Sequence, residues 1–115
     1  MPAVDVAWIT YDDVVGALGQ APSASADVEW LGDCVAAANV AAFETRLEAG
    51  YVDDPLVVPD AGVKVGTVQY AVAWYRSRGS AEGYGSFDEF GNFTPAGATW
   101  AMIRKAWRVP RMGFG

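Results

Sequence analysis

The residues whose types and spacing could do chemistry stand at the C-terminal end of the chain, and the chemistry they suit is recognition. Arg104, Lys105, Arg108 and Arg111 interleave with Trp100, Trp107, Met112 and Phe114. Arg, Trp and Met are residue types that carry interface energy. Two readings stay open: a solvated basic face that suits a helix C-terminus, or an anchoring surface for an acidic partner. Bases mixed with aromatics also suit single-stranded nucleic acid, but the acidic first half of the chain argues against that. A second aromatic group, Tyr84, Phe87, Phe90 and Phe93, lies in a Gly-rich segment.

Covalent and metal chemistry find little to work with. The chain has no histidine, so a Ser-His-Asp or Cys-His arrangement is excluded. Its one cysteine, Cys34, cannot form an intramolecular disulfide or a structural zinc site. Cys34 sits among alanines and reads as a small core residue. Asp12-Asp13 reads as a pair of first-turn helix-dipole partners. Asp53, Asp54 and Asp60 lack the ligand spacing of an EF-hand loop. The stretch Gly79 to Gly91 lacks the Lys-Ser/Thr ending of a phosphate loop and follows a helix rather than a strand. The expectation is a protein that is not an enzyme, with no catalytic residues, no cofactor and no metal.

Helices must position these residues. The pattern predicts an all-α chain: a small bundle of about four helices, with a Gly/aromatic-rich loop between the third and fourth that could carry a short β-hairpin. Thr10 is spaced to cap a first helix, Tyr11 to Leu18, with Asp13 as the capping-box acid and Ile9 and Val14 as a hydrophobic staple. Gly19 ends it. A second helix runs from Ser25 or Asp27 to about Ala49, with Val28, Leu31, Val35, Ala38 and Ala42 on one stripe. After a Pro/Asp connector, Asp60 caps a third helix, Ala61 to about Arg78. There Ala61, Val65, Val68, Val72 and Tyr75 form one stripe, and Tyr70 and Trp74 a second. A helix apolar on most of its circumference is a central one. Gly79 to Phe93 is the loop; Phe87, Phe90 and Phe93 flank a turn-forming Gly91-Asn92. Thr94-Pro95 reads as N-cap and N1 of a last helix ending near Trp107.

At 115 residues the chain reads as one domain, 1–115, able to bury roughly two-thirds of its unfolded surface. Five Trp, five Tyr and five Phe are more than so small a core hides, which leaves aromatics for a protein–protein contact. Charge is unevenly spread. Residues 1–60 hold eleven acids and one base, Arg46; residues 61–115 hold three acids and seven bases. One half is about −10 and the other about +4. Either chance explains this, or a subunit acidic at one end and basic at the other packs on unlike neighbours. No signal peptide is visible, and the longest charge-poor stretch, Val65 to Tyr75, is too short to span a bilayer. The expectation is a cytosolic, soluble protein with no membrane partner.

The join between the third helix and the loop narrows the choice of family. The apolar helix ends in Tyr75, Arg76 and Arg78, followed by Gly79, Ser80, Glu82 and Gly83. In these residues, and in the order of its elements along the whole chain, the protein resembles the head-to-tail connector (adaptor) proteins of tailed bacteriophages. It departs at Ala81, where that family usually has proline, and at Ser77, where another base is common. Its Thr94-Pro95 opening of the final helix is less typical as well. The resemblance implies a structural virion protein made in the bacterial host cytoplasm. It would form a homo-oligomeric ring, a dodecamer, between the portal protein and the next neck or tail protein. The ring extends the channel for genomic DNA without reading its sequence. The resemblance assigns 100–115 to portal docking, through Trp100, Arg104, Lys105, Trp107, Arg108, Arg111, Met112 and Phe114. Tyr84, Phe87, Phe90 and Phe93 would touch a neighbouring subunit or the tail. The alternatives are another neck or tail-completion protein, or a small helical regulatory or nucleic-acid-binding protein.

Overall fold

Thr10 starts the first helix of the computed structural model, which describes residues 5–78, 85–87 and 93–110. Its extended backbone lets its hydroxyl accept from the Asp13 amide at 3.2 Å, while the Asp13 carboxylate accepts from the Thr10 amide at 2.9 Å. That reciprocal box satisfies two donors that a helix start otherwise leaves open. The Thr10 amide holds the Asp13 carboxyl below its ordinary range. Ile9 and Val14 are both buried, as a staple requires. The helix, α1, spans Tyr11–Leu18 and stops where Gly19 turns left-handed, with φ of 82°.

Helix α2 spans Ser25–Glu48 and begins at Ala24 without a side-chain cap. Leu31, Cys34, Val35, Ala38 and Ala42 form its buried face. Asn39 joins them because it has a partner. Its side chain accepts from the Ile9 amide at 2.9 Å and donates to the Ile9 carbonyl at 3.1 Å. The segment leading into α1 is thereby clamped to the middle of α2.

Helix α3 spans Ala61–Arg76 and is central: α1, α2 and the last helix all pack on it. Asp60 caps it by accepting from the Val63 amide at 3.0 Å. Its buried face differs from the stripe read off hydrophobicity. Val63, Gly66, Thr67, Tyr70, Ala71, Val72 and Ala73 face the core, so Tyr70 and Val72 are buried as their stripes placed them, whereas Ala61 and Val65 are exposed. Close helix packing selects small residues, which a search for large apolar ones undervalues. A Cβ on Gly66 would lie 2.8 Å from the Ala106 Cβ and 3.0 Å from the Trp107 indole, so Gly66 is where α3 and the last helix touch.

The expected hairpin is present. Strand β1, Gly85–Phe87, pairs antiparallel with β2, Phe93–Pro95, in the register Gly85↔Pro95, Ser86↔Thr94 and Phe87↔Phe93. The pairing corrects the start of the last helix. Thr94 and Pro95 belong to β2 rather than to an N-cap and N1. Helix α4 spans Gly97–Trp107 and starts at Ala96 without a side-chain cap. The strand prevails because the ladder holds this segment extended while Phe93 and Pro95 turn into the core. A proline at a strand terminus also gives up no ladder donor that the sheet requires. At its other end α4 closes on Arg108 in the left-handed region, with φ of 56°.

Candidate functional site

Tyr70, Trp74, Phe87, Phe93, Trp100 and Trp107 form one connected cluster with a buried centre. Tyr70 on α3 is its hub, with ring centroids 5.7 Å from Trp74, 5.8 Å from Phe93 and 5.5 Å from Trp107. Its hydroxyl donates to the Phe93 carbonyl, which pins β2 to α3. Trp107 is fully buried, and its indole N–H donates to the Thr67 hydroxyl at 3.2 Å. The Thr67 hydroxyl in turn donates to the Val63 carbonyl at 2.8 Å, so this polar chain through the core is closed. Two of the expected contact residues, Trp107 and Phe93, are buried in this chain. Their rings lie between α3, α4 and the hairpin. Phe87 is different. It shares a hairpin face with Phe93, their tilted rings 5.1 Å apart, and also meets Trp74, yet stays 42 % exposed at the edge of the cluster.

The basic residues of α4 divide in the same way. Arg108 reaches back to the N-terminus of α3, with its Nη2 2.6 Å from the Asp60 carboxylate. That ion pair and the capping bond hold the Asp60 carboxyl at about 2, below its ordinary 3.8, and raise the Arg108 guanidinium in turn. Arg104 leans over the half-buried Trp100 ring, 5.7 Å from its centroid. The Arg104 Nε is enclosed without a hydrogen-bond partner among the described residues. Lys105 and Met102 are exposed. Tyr84, Phe90, Arg111, Met112 and Phe114 lie outside the described residues.

Sequence reasoning passed over the group that fixes the end of α4. Arg46 is 3 % exposed. It grips Asp53 with two bonds, 2.8 Å from Nε and 3.1 Å from Nη2, and its Nη1 donates to the Trp107 carbonyl at 2.6 Å. The Tyr51 ring covers the guanidinium at 3.7 Å, and the Tyr51 hydroxyl donates to the Arg108 carbonyl at 2.9 Å. A buried charge needs such a set, because an unpaired one is costly. Two signals pointed to it: Arg46 is the only base in the first sixty residues, and it extends the stripe Leu31-Val35-Ala38-Ala42 by one more step of four.

Two further surfaces are formed from known elements. Beside the hairpin, Ala36, Ala37, Val40 and Ala41 of α2 floor an open groove of about 390 Å³. Tyr70, Trp74 and Phe93 wall it, and Glu44 stands at its rim. In the connector after α2, Val52, Leu56 and Val57 project outward. Bonds to Trp8 and Ala7 hold the backbone beneath them. Cys34 lies in the core, where burial pushes its thiol up to about 12, so it stays protonated and inert. No helix among the described residues is long and apolar enough to cross a membrane. Comparison with protein-family models, with curated proteins and with solved structures found no match for this chain.

Proposed function

We propose that this chain is a head-to-tail connector subunit of a tailed bacteriophage. It acts by packing rather than by catalysis. Copies form a dodecameric ring between the portal protein and the next neck or tail protein, and the ring continues the channel through which genomic DNA passes. Its place is the neck of the virion, after synthesis in the host cytoplasm.

The observation that carries this reading is the join at the end of α3. The central apolar helix stops at Arg76, an exposed base, and Arg78 pairs with Asp27 at the start of α2. The hairpin then returns Phe93 to the same helix while Phe87 stays at the surface. Arg76 and Arg78 are among the residues on which the family resemblance rests, with Tyr75; its Gly79, Ser80, Glu82 and Gly83 lie outside the described residues.

In this reading the portal partner meets α4 and the residues after it: Trp100, Arg104, Lys105, Arg111, Met112 and Phe114. Trp107 supports that surface from within through the Thr67 bond, and the exposed Arg108 is tied to Asp60 beside it. The test is negative-stain imaging and pull-down of the chain with its portal. Rings on the portal are expected, and Arg104→Glu/Arg111→Glu should abolish binding while leaving the circular dichroism spectrum unchanged. Absence of any complex with the wild-type chain would overturn the reading.

A further inference from the structure

Two outer faces of this fold match each other. On α2, the groove floored by Ala37, Val40 and Ala41 is apolar and has the exposed Glu44 at its rim. On α4, Ala98, Ala101, Met102 and Lys105 recur at three- and four-residue steps, and all four are exposed, Met102 by 52 %. Residues at that spacing share one helix face. Neither Glu44 nor Lys105 has an ion-pair partner among the described residues. Small residues on both faces let two backbones approach. One face carries an acid and the other a base.

The two faces belong to different helices. Helices α2 and α4 both pack on α3 and far less on each other, so the two faces are free to meet different copies. Contact between unlike faces of identical subunits is heterologous, and it closes into a ring when the rotation permits.

We propose that the occupant of the α2 groove is helix α4 of a second copy of this chain. Met102 of one copy seats against Val40 and Trp74 of the next, and Lys105 pairs with that neighbour's Glu44. A flexible thioether suits an aromatic-walled groove, and complementary charge fixes the register of the contact. The inference rests on the ring reading in taking a second copy as the partner. It moves Lys105 from the portal surface to the subunit interface.

The experiment is disulfide trapping in a Cys34→Ser background, with Cys34→Ala as a second background if the serine fails to fold. Copies carrying Ala41→Cys are mixed with copies carrying Met102→Cys and oxidised. Mixed dimers should exceed either homodimer. Equal yields of the three would overturn the inference. In sedimentation velocity, Glu44→Lys and Lys105→Glu should each weaken self-association by about tenfold or more, and the double exchange should restore it. Loss of portal binding in Lys105→Glu with unchanged self-association would also overturn it. Rings on the portal alongside unselective trapping would sink the interface and leave the ring reading standing. Selective trapping with no portal complex would do the reverse.

Discussion

The guanidinium of Arg46, near the end of α2, donates to the carbonyl of Trp107, the last residue of α4, across sixty-one positions of sequence. That single bond closes the C-terminus of α4 against α2, while Asp53 neutralises the charge. Removing the cation leaves a carboxylate and a carbonyl without their donor. Arg46→Met is therefore expected to cost about 3 kcal/mol. Asp53→Asn should cost less, and the double variant should cost less than the sum of the two, because they form one network. Urea denaturation followed by tryptophan fluorescence measures all three.

Gly66 gives a case in which helix propensity and packing oppose each other. Alanine is favoured over glycine in a helix by about 1 kcal/mol. The added methyl would meet Ala106 and the Trp107 ring well inside ordinary contact distance. Both neighbours are rigidly held, so overpacking should win, with a net loss of about 1–3 kcal/mol. A Gly66→Ala variant that gains thermal stability would show that α4 shifts freely on α3.

The two phenylalanines of the hairpin pair should behave differently despite facing each other across the ladder. Phe93 is buried against Tyr70 and Trp74, so Phe93→Ala should cost about 3–5 kcal/mol. Phe87→Ala should cost under about 1 kcal/mol, since the side chain is part-exposed. Thermal melts compare the two directly. Any effect of Phe87→Ala on ring assembly would then report on contact rather than folding.

Acid should loosen the tie between α3 and α4. The folded-state carboxyl of Asp60 titrates at about 2, below its ordinary 3.8. A depressed carboxyl contributes stability that is fully present above the ordinary value and is lost as pH falls toward 2. Asp60→Asn keeps an oxygen to cap Val63 but loses the pair with Arg108. The difference in urea midpoint between wild type and Asp60→Asn should therefore be constant above pH 5 and shrink between about pH 4 and pH 2. A difference that grows on acidification would contradict the assignment.

Local signals carried much of this fold. The capping box at Thr10 and Asp13, the stop at Gly19, the cap at Asp60 and the hairpin flanked by Phe87 and Phe93 each depend on a few neighbouring residues, so their types and spacing were enough to locate them. The number and order of the helices followed from the same short-range rules. The tertiary structure decided what those rules do not contain. It turned α3 so that Gly66, Thr67 and Ala73 face the core and Val65 does not, because three packed neighbours favour close approach over hydrophobicity. It held Thr94 and Pro95 in a strand, because a partner strand and a buried Phe93 outweigh a good capping sequence. It drew Trp107 inside and made Arg46 a core residue, because a charge can be buried only where Asp53 and the Trp107 carbonyl converge on it from distant parts of the chain.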